Sequence, residues 1–96
     1  MRLIYTILMI FLCHVSMAQT RLDYFLTEAA KCRMLNQWSG ASELYRHCLD
    51  IDSTSAEALY QLGRIHFYLR QDSIGLEYLH RAVERDPDNT YYIEPL

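Results

Sequence analysis

Glycine and proline are scarce in this chain, three and two of 96 residues, and neither gathers into a loop-forming cluster. That leaves no glycine-rich phosphate cradle, and no nucleophile motif stands anywhere along the sequence. No stretch alternates apolar and polar residues as a half-buried strand does. There is no long linker and no low-complexity tract. Cysteine is limited to Cys13, Cys32 and Cys48. Together with His47, His66 and His80, the latter two cysteines show no close pair and no helical metal-site spacing of four. No enzyme activity, cofactor or metal is therefore expected. Positive charge is also short, nine Lys and Arg against twelve Asp and Glu, with no basic patch interleaved by aromatics. Nucleic acid is not the expected partner.

The first eighteen residues differ in kind from the rest. Arg2 carries their only positive charge, Leu3 to Leu12 form an apolar run, and Ser16, Met17 and Ala18 place small residues ahead of Gln19. This is the layout of a secretory signal peptide, which predicts export to a periplasmic or secreted location with residues 1–18 removed. The run falls short of the ~20 residues of a comfortable membrane span. No stable span is expected after cleavage, and an uncleaved anchor is the other reading. Cys13 invites acylation, but Leu12 before it is not the small residue that such processing wants. Loss of Arg2 leaves eight basic residues against twelve acidic ones, a mature charge near −4.

Beyond residue 18 the apolar positions follow helical periodicity. Leu22, Phe25, Leu26, Ala29, Cys32 and Leu35 mark a first helix, with Thr20 as its expected cap. A turn at Gln37, Trp38 and Ser39 leads to a second helix, capped by Ser39 and ending near Ile51. Trp38 is expected to pack at this corner, an exposed binding anchor being the alternative. Thr54 and Glu57 form a capping-box pattern, placing the third helix start at Ser55 or Ala56. Asp72 or Ser73 is the expected cap of a fourth helix, which Pro87 ends. In the third helix Leu59, Leu62, Gly63 and His66 share one face. In the fourth Gly75, Leu79, Ala82 and Val83 do the same. Such helices bury their stripes by folding back on each other. The small residues predict a close approach, with Gly63 and Ala82 as the touching pair. Cys32 and Cys48 sit on apolar faces too far offset from the turn for a disulfide.

A shift of 34 residues superposes the two halves. Phe25, Glu28, Ala29 and Cys32 fall on Leu59, Leu62, Gly63 and His66. Ala41, Tyr45, Cys48 and Ser53 fall on Gly75, Leu79, Ala82 and Pro87. With this period and helix–turn–helix units, the chain resembles the tetratricopeptide repeat (TPR) family. The second unit follows the family pattern with Leu59 for Trp, His66 for Tyr and Gly75 for Ala. The first departs further, with Glu28 at a usually apolar place. The resemblance implies an all-α fold of tandem antiparallel helix hairpins, a piece of an α-solenoid. Its parts are a signal peptide 1–18, a first hairpin 19–53, a second hairpin 54–89, and residues 90–96 as the start of a third unit or a tail.

The resemblance also implies a protein–protein interaction module that binds a peptide or protein in a groove lined by the first helix of each unit. The groove positions are Tyr60, Arg64, Phe67 and Tyr68 in the second unit, and Leu26, Ala30, Arg33 and Met34 in the first. Tyr60, Arg64, Phe67, Tyr68, Arg33 and Met34 are the candidate partner-binding residues. The Lys and Asn set with which some relatives hold a terminal carboxylate is missing, since Leu26 and Ala30 stand in its place. A different class of function is a structural or sensor scaffold at the N-terminus of a longer exported protein. On either reading the fourth helix lacks a polar capping helix, so Leu76 and Val83 are expected to be exposed, with Tyr91, Tyr92 and Ile93 as a partial lid, and self-association through that face is anticipated.

Overall fold

The computed structural model describes residues 1–89, except the side chains of Val15 and Ser16. Among the described residues the fold is all helical: α1 (Arg2–Met34), α2 (Trp38–Ile51), α3 (Ala56–Tyr68) and α4 (Asp72–Arg85). α1 packs on α2, α2 on α3, and α3 on α4. The expectations for residues 90–96 lie outside the described residues.

α1 runs straight through Ala18, Gln19 and Thr20, so Thr20 caps nothing and the helix has 33 residues. At 1.5 Å per residue that is about 50 Å, most of the molecule's 57 Å long axis. Its described side chains up to Arg21 are all exposed, and burial begins at Leu22. The core therefore starts one turn past Ala18.

The turns repeat as faithfully as the helices. Asn36 and Arg70, 34 residues apart, take left-handed backbone conformations at φ 60° and 62°. Gln37 N–H closes on Cys32 C=O at 2.8 Å, and Gln71 N–H on His66 C=O at 2.8 Å. Both closures belong to the Schellman type, in which a left-handed residue lets the chain turn back over the last helical carbonyls. α2 and α4 end differently, each on an ordinary helical bond, Asp52 N–H to Cys48 C=O and Asp86 N–H to Ala82 C=O, again one repeat apart. A 34-residue translation thus relates the hydrogen bonds as well as the residue types.

Caps fall elsewhere than expected. α2 starts at Trp38 and α4 at Asp72, both without a side-chain cap, so neither Ser39 nor Asp72 or Ser73 does that work. Ser55, not Thr54, caps α3 by accepting from Ala58 N–H. Thr54 is diverted: its N–H and hydroxyl both donate to Asp52 Oδ1, at 3.0 and 2.7 Å. These bonds hold the Asp52 carboxyl below its ordinary range.

α2 and α4 are one-sided, burying Ala41, Ser42, Tyr45 and Cys48, and Gly75, Leu79 and Ala82. α3 is different. It lies between α2 and α4, and eight of its thirteen residues are buried. The close approach of α3 and α4 occurs at Gly63 against Gly75 and Leu79, not against Ala82. A Cβ on Gly63 would lie 2.7 Å from Leu79 Cγ and 3.1 Å from the Gly75 carbonyl oxygen. A Cβ on Gly75 would lie 2.8 Å from the Gly63 carbonyl oxygen. Two backbones touch here without intervening side chains.

Candidate functional site

The turn-side ends of α1 and α3 lie next to each other, because both helices finish with the same turn one repeat apart. Between them is a pocket of about 310 Å³ lined by Arg33, Met34, Asn36, Trp38, Arg64, Ile65 and Tyr68. Four of the groove candidates, Arg33, Met34, Arg64 and Tyr68, meet in it. Met34 and Tyr68 are exposed, at 75% and 66%. Trp38, half-buried at the start of α2, lies against the Tyr68 ring with centroids 4.5 Å apart. It is both corner residue and pocket wall.

The pocket is cationic and aromatic. Arg33 stands in the last turn of α1, where a cation is favoured by the helix dipole. It lies beside the Tyr45 phenol. Burial pushes the Tyr45 ionisation up, and the Arg33 contact pulls it partly back. Arg33 Nε is buried with no hydrogen-bond partner. Arg64 is exposed and rests 5.6 Å from the Tyr60 ring centroid, a cation–π arrangement that holds the side chain over the pocket rim. No carboxylate is among the pocket's lining residues, in a protein whose formal charge is −3.

Tyr60 and Phe67 do not line this pocket. Tyr60 is 1% exposed, within the cluster of Leu59, Leu79 and Ala82. Phe67 is turned toward α4, where its ring lies against Gly75. The reason is that α3 has neighbours on two sides, so the face turned away from one partner is covered by another. Asn36 and Ile65 are pocket residues that the sequence reading missed. The signal that could have found Asn36 is its place one repeat before Arg70, at a turn.

Among the described residues the remaining titratable groups build no second site. His66 is buried, with Nδ1 2.6 Å from Gln71 Oε1 and its ring stacked on Tyr78. Cys48 is fully buried and its thiol is pushed up to about 11 by that burial, which makes it inert. Cys32 and Cys48 are both free thiols. Among the described residues no group of three or more His, Cys, Asp and Glu could hold a metal ion. By length and composition α1 as a whole is long and apolar enough to cross a membrane, a property that signal sequences share.

Compared with family models and with curated proteins, the chain gives no match.

Proposed function

We propose that this chain is an exported binding module of tetratricopeptide-repeat type, in which stacked helix hairpins hold a peptide or protein partner. The 34-residue translation of turns, helix ends and buried small residues supports the repeat assignment. The charge and apolar layout of residues 1–18, on a helix segment whose described side chains are exposed, supports a leader removed after Ala18.

The observation that carries the binding reading is the pocket itself. It brings two guanidinium groups and two aromatic rings together with no internal acid to satisfy the cations. Aromatic and Arg side chains are the types that dominate binding energies. A guanidinium pairs best with a planar carboxylate, so the fitting ligand is a segment with an Asp, Glu or terminal carboxylate beside an apolar side chain.

Trp38 is the chain's one tryptophan, so its emission reports on this pocket directly. Short peptides with Asp or Glu next to Phe or Leu should change that emission saturably, and their Asn or Gln counterparts should not. Arg64→Ala should weaken the response by about 1–2 kcal/mol, on the order of tenfold, with the helical signal intact. Equal responses to acid and amide peptides, or an unaffected Arg64→Ala variant, would remove the pocket from function. Tyr60→Ala is no test of the surface, because that ring is core.

A further inference from the structure

Met34 and Tyr68 stand one repeat apart and line the same pocket, one from α1 and one from the end of α3. Ile65, the other aliphatic lining residue, is 1% exposed, and Trp38 is half-buried. The apolar surface open to a ligand therefore comes from Met34 together with the Trp38 and Tyr68 rings. Met34 is also singular in its chemistry. Met1, Met9 and Met17 all fall within residues 1–18, so it is the one methionine from Gln19 onward. Among the described residues beyond Met17, no large apolar side chain is more exposed. A thioether placed in this way is open to two-electron oxidants, and oxidation turns a soft apolar group into a polar one. The thiols beyond the leader are placed differently. Cys48 is fully buried, and Cys32, half-buried beside Gly40, is not among the pocket's lining residues.

We infer that Met34 is an oxidation site, and that conversion of its thioether to the sulfoxide by a hydroperoxide releases the pocket's ligand. This rests on the binding reading above. In the step itself the Met34 sulfur attacks one oxygen of the hydroperoxide, and an S–O bond forms as the O–O bond breaks. The proton of the attacked oxygen passes to the departing one, which leaves as water or an alcohol. Sulfur gives up two electrons and the peroxide takes them. The ligand then loses on two counts. Its apolar side chain meets a polar group on the α1 side of the pocket. Its carboxylate meets a competitor, because the sulfoxide oxygen is a hydrogen-bond acceptor in a space that holds two guanidinium groups. Arg33 Nε is buried there with no partner, and no lining carboxylate occupies either cation. A guanidinium that donates to the sulfoxide is no longer free for a bidentate pair with the ligand.

The test exposes the chain, as its host processes it, to hydrogen peroxide and then to dithiothreitol, which returns disulfides to thiols and leaves a sulfoxide in place. Peptide mapping should find the added oxygen on Met34. A peptide with Asp next to Phe, followed by Trp38 emission, should then bind about tenfold more weakly. Methionine sulfoxide reductase should restore the affinity of the untreated protein. Met34→Leu, compared only with itself before and after peroxide, should show no change. No oxygen on Met34, equal affinity before and after its oxidation, or an equal loss in Met34→Leu overturns the inference. The switch and the binding reading fail in different ways. Untreated protein that ignores the peptide sinks both, whereas peptide binding that peroxide leaves untouched sinks the switch alone.

Discussion

A methyl group at Gly63 has no room. Its nearest neighbours would be Leu79 Cγ at 2.7 Å and the Gly75 carbonyl oxygen at 3.1 Å, and the second of these is backbone. Gly40 in α2 differs: its added Cβ would meet only Cys32 Sγ, at an ordinary 3.7 Å. The same substitution should therefore have opposite signs at the two sites. Gly63→Ala should cost about 1–3 kcal/mol by overpacking. Gly40→Ala should stabilise by up to about 1 kcal/mol through helix propensity. Urea titration of both variants checks this, and a Gly63→Ala protein as stable as its parent would mean that the α3–α4 contact is not where it is described. Both are helix glycines, Gly63 buried and Gly40 half-buried. The neighbour within reach of the missing Cβ separates them.

At the scale of the element, the repeated turn decides most of the geometry. Asn36 and Arg70 both hold φ near 60°, yet only asparagine tolerates that conformation readily. Arg70 accepts the strain because Gln71 N–H to His66 C=O and Leu69 N–H to Ile65 C=O close the end of α3 around it. Arg70→Gly should relieve the strain and raise stability by roughly 0.5–1 kcal/mol, after the entropy that glycine loses on folding is subtracted. Asn36→Gly should do less. A thermal midpoint for Arg70→Gly at or below the parent's would show that the Arg70 side chain contributes more than its backbone costs. The turn also explains the helix caps. With the preceding helix closed by a backbone bond to Gln37 or Gln71, α2 and α4 begin at once and use no side-chain cap.

For the whole molecule, α1 is the element with two environments. From Leu22 onward it is part of the core, and before that its described side chains are exposed. The eighteen residues between Arg2 and Arg21 carry no Asp, Glu, Lys or Arg. Protein recovered after export from a bacterial host should begin at or near Gln19 by N-terminal sequencing. Because the described side chains of the removed residues are exposed, the helical core should melt at the same temperature with or without them. Recovery of the intact chain from the membrane fraction instead would identify α1 as an anchor that holds the pocket near the bilayer surface.

The helical content, the turns near residues 37–39 and 70–73 and the 34-residue phase were legible in the sequence itself, though Trp38, Ser39, Asp72 and Ser73 belong to helices and not to turns. Each is a local property: periodicity along one helix, a turn-forming residue, a proline after the last turn. The phase pointed to Arg33, Met34, Arg64 and Tyr68 as groove positions, and all four line one pocket because equal repeats bring equal helix ends side by side. Tertiary structure alone decided the fates of Tyr60 and Phe67. Periodicity says which face of α3 is apolar, but it treats the helix as having one partner. With α2 on one side and α4 on the other, a residue turned from the first is covered by the second, and Tyr60 ends 1% exposed. The same holds for Gly63, whose neighbours across α4 are Gly75 and Leu79. Their registry depends on how far α3 and α4 slide along each other, and that distance is set by the packed pair and not by either helix.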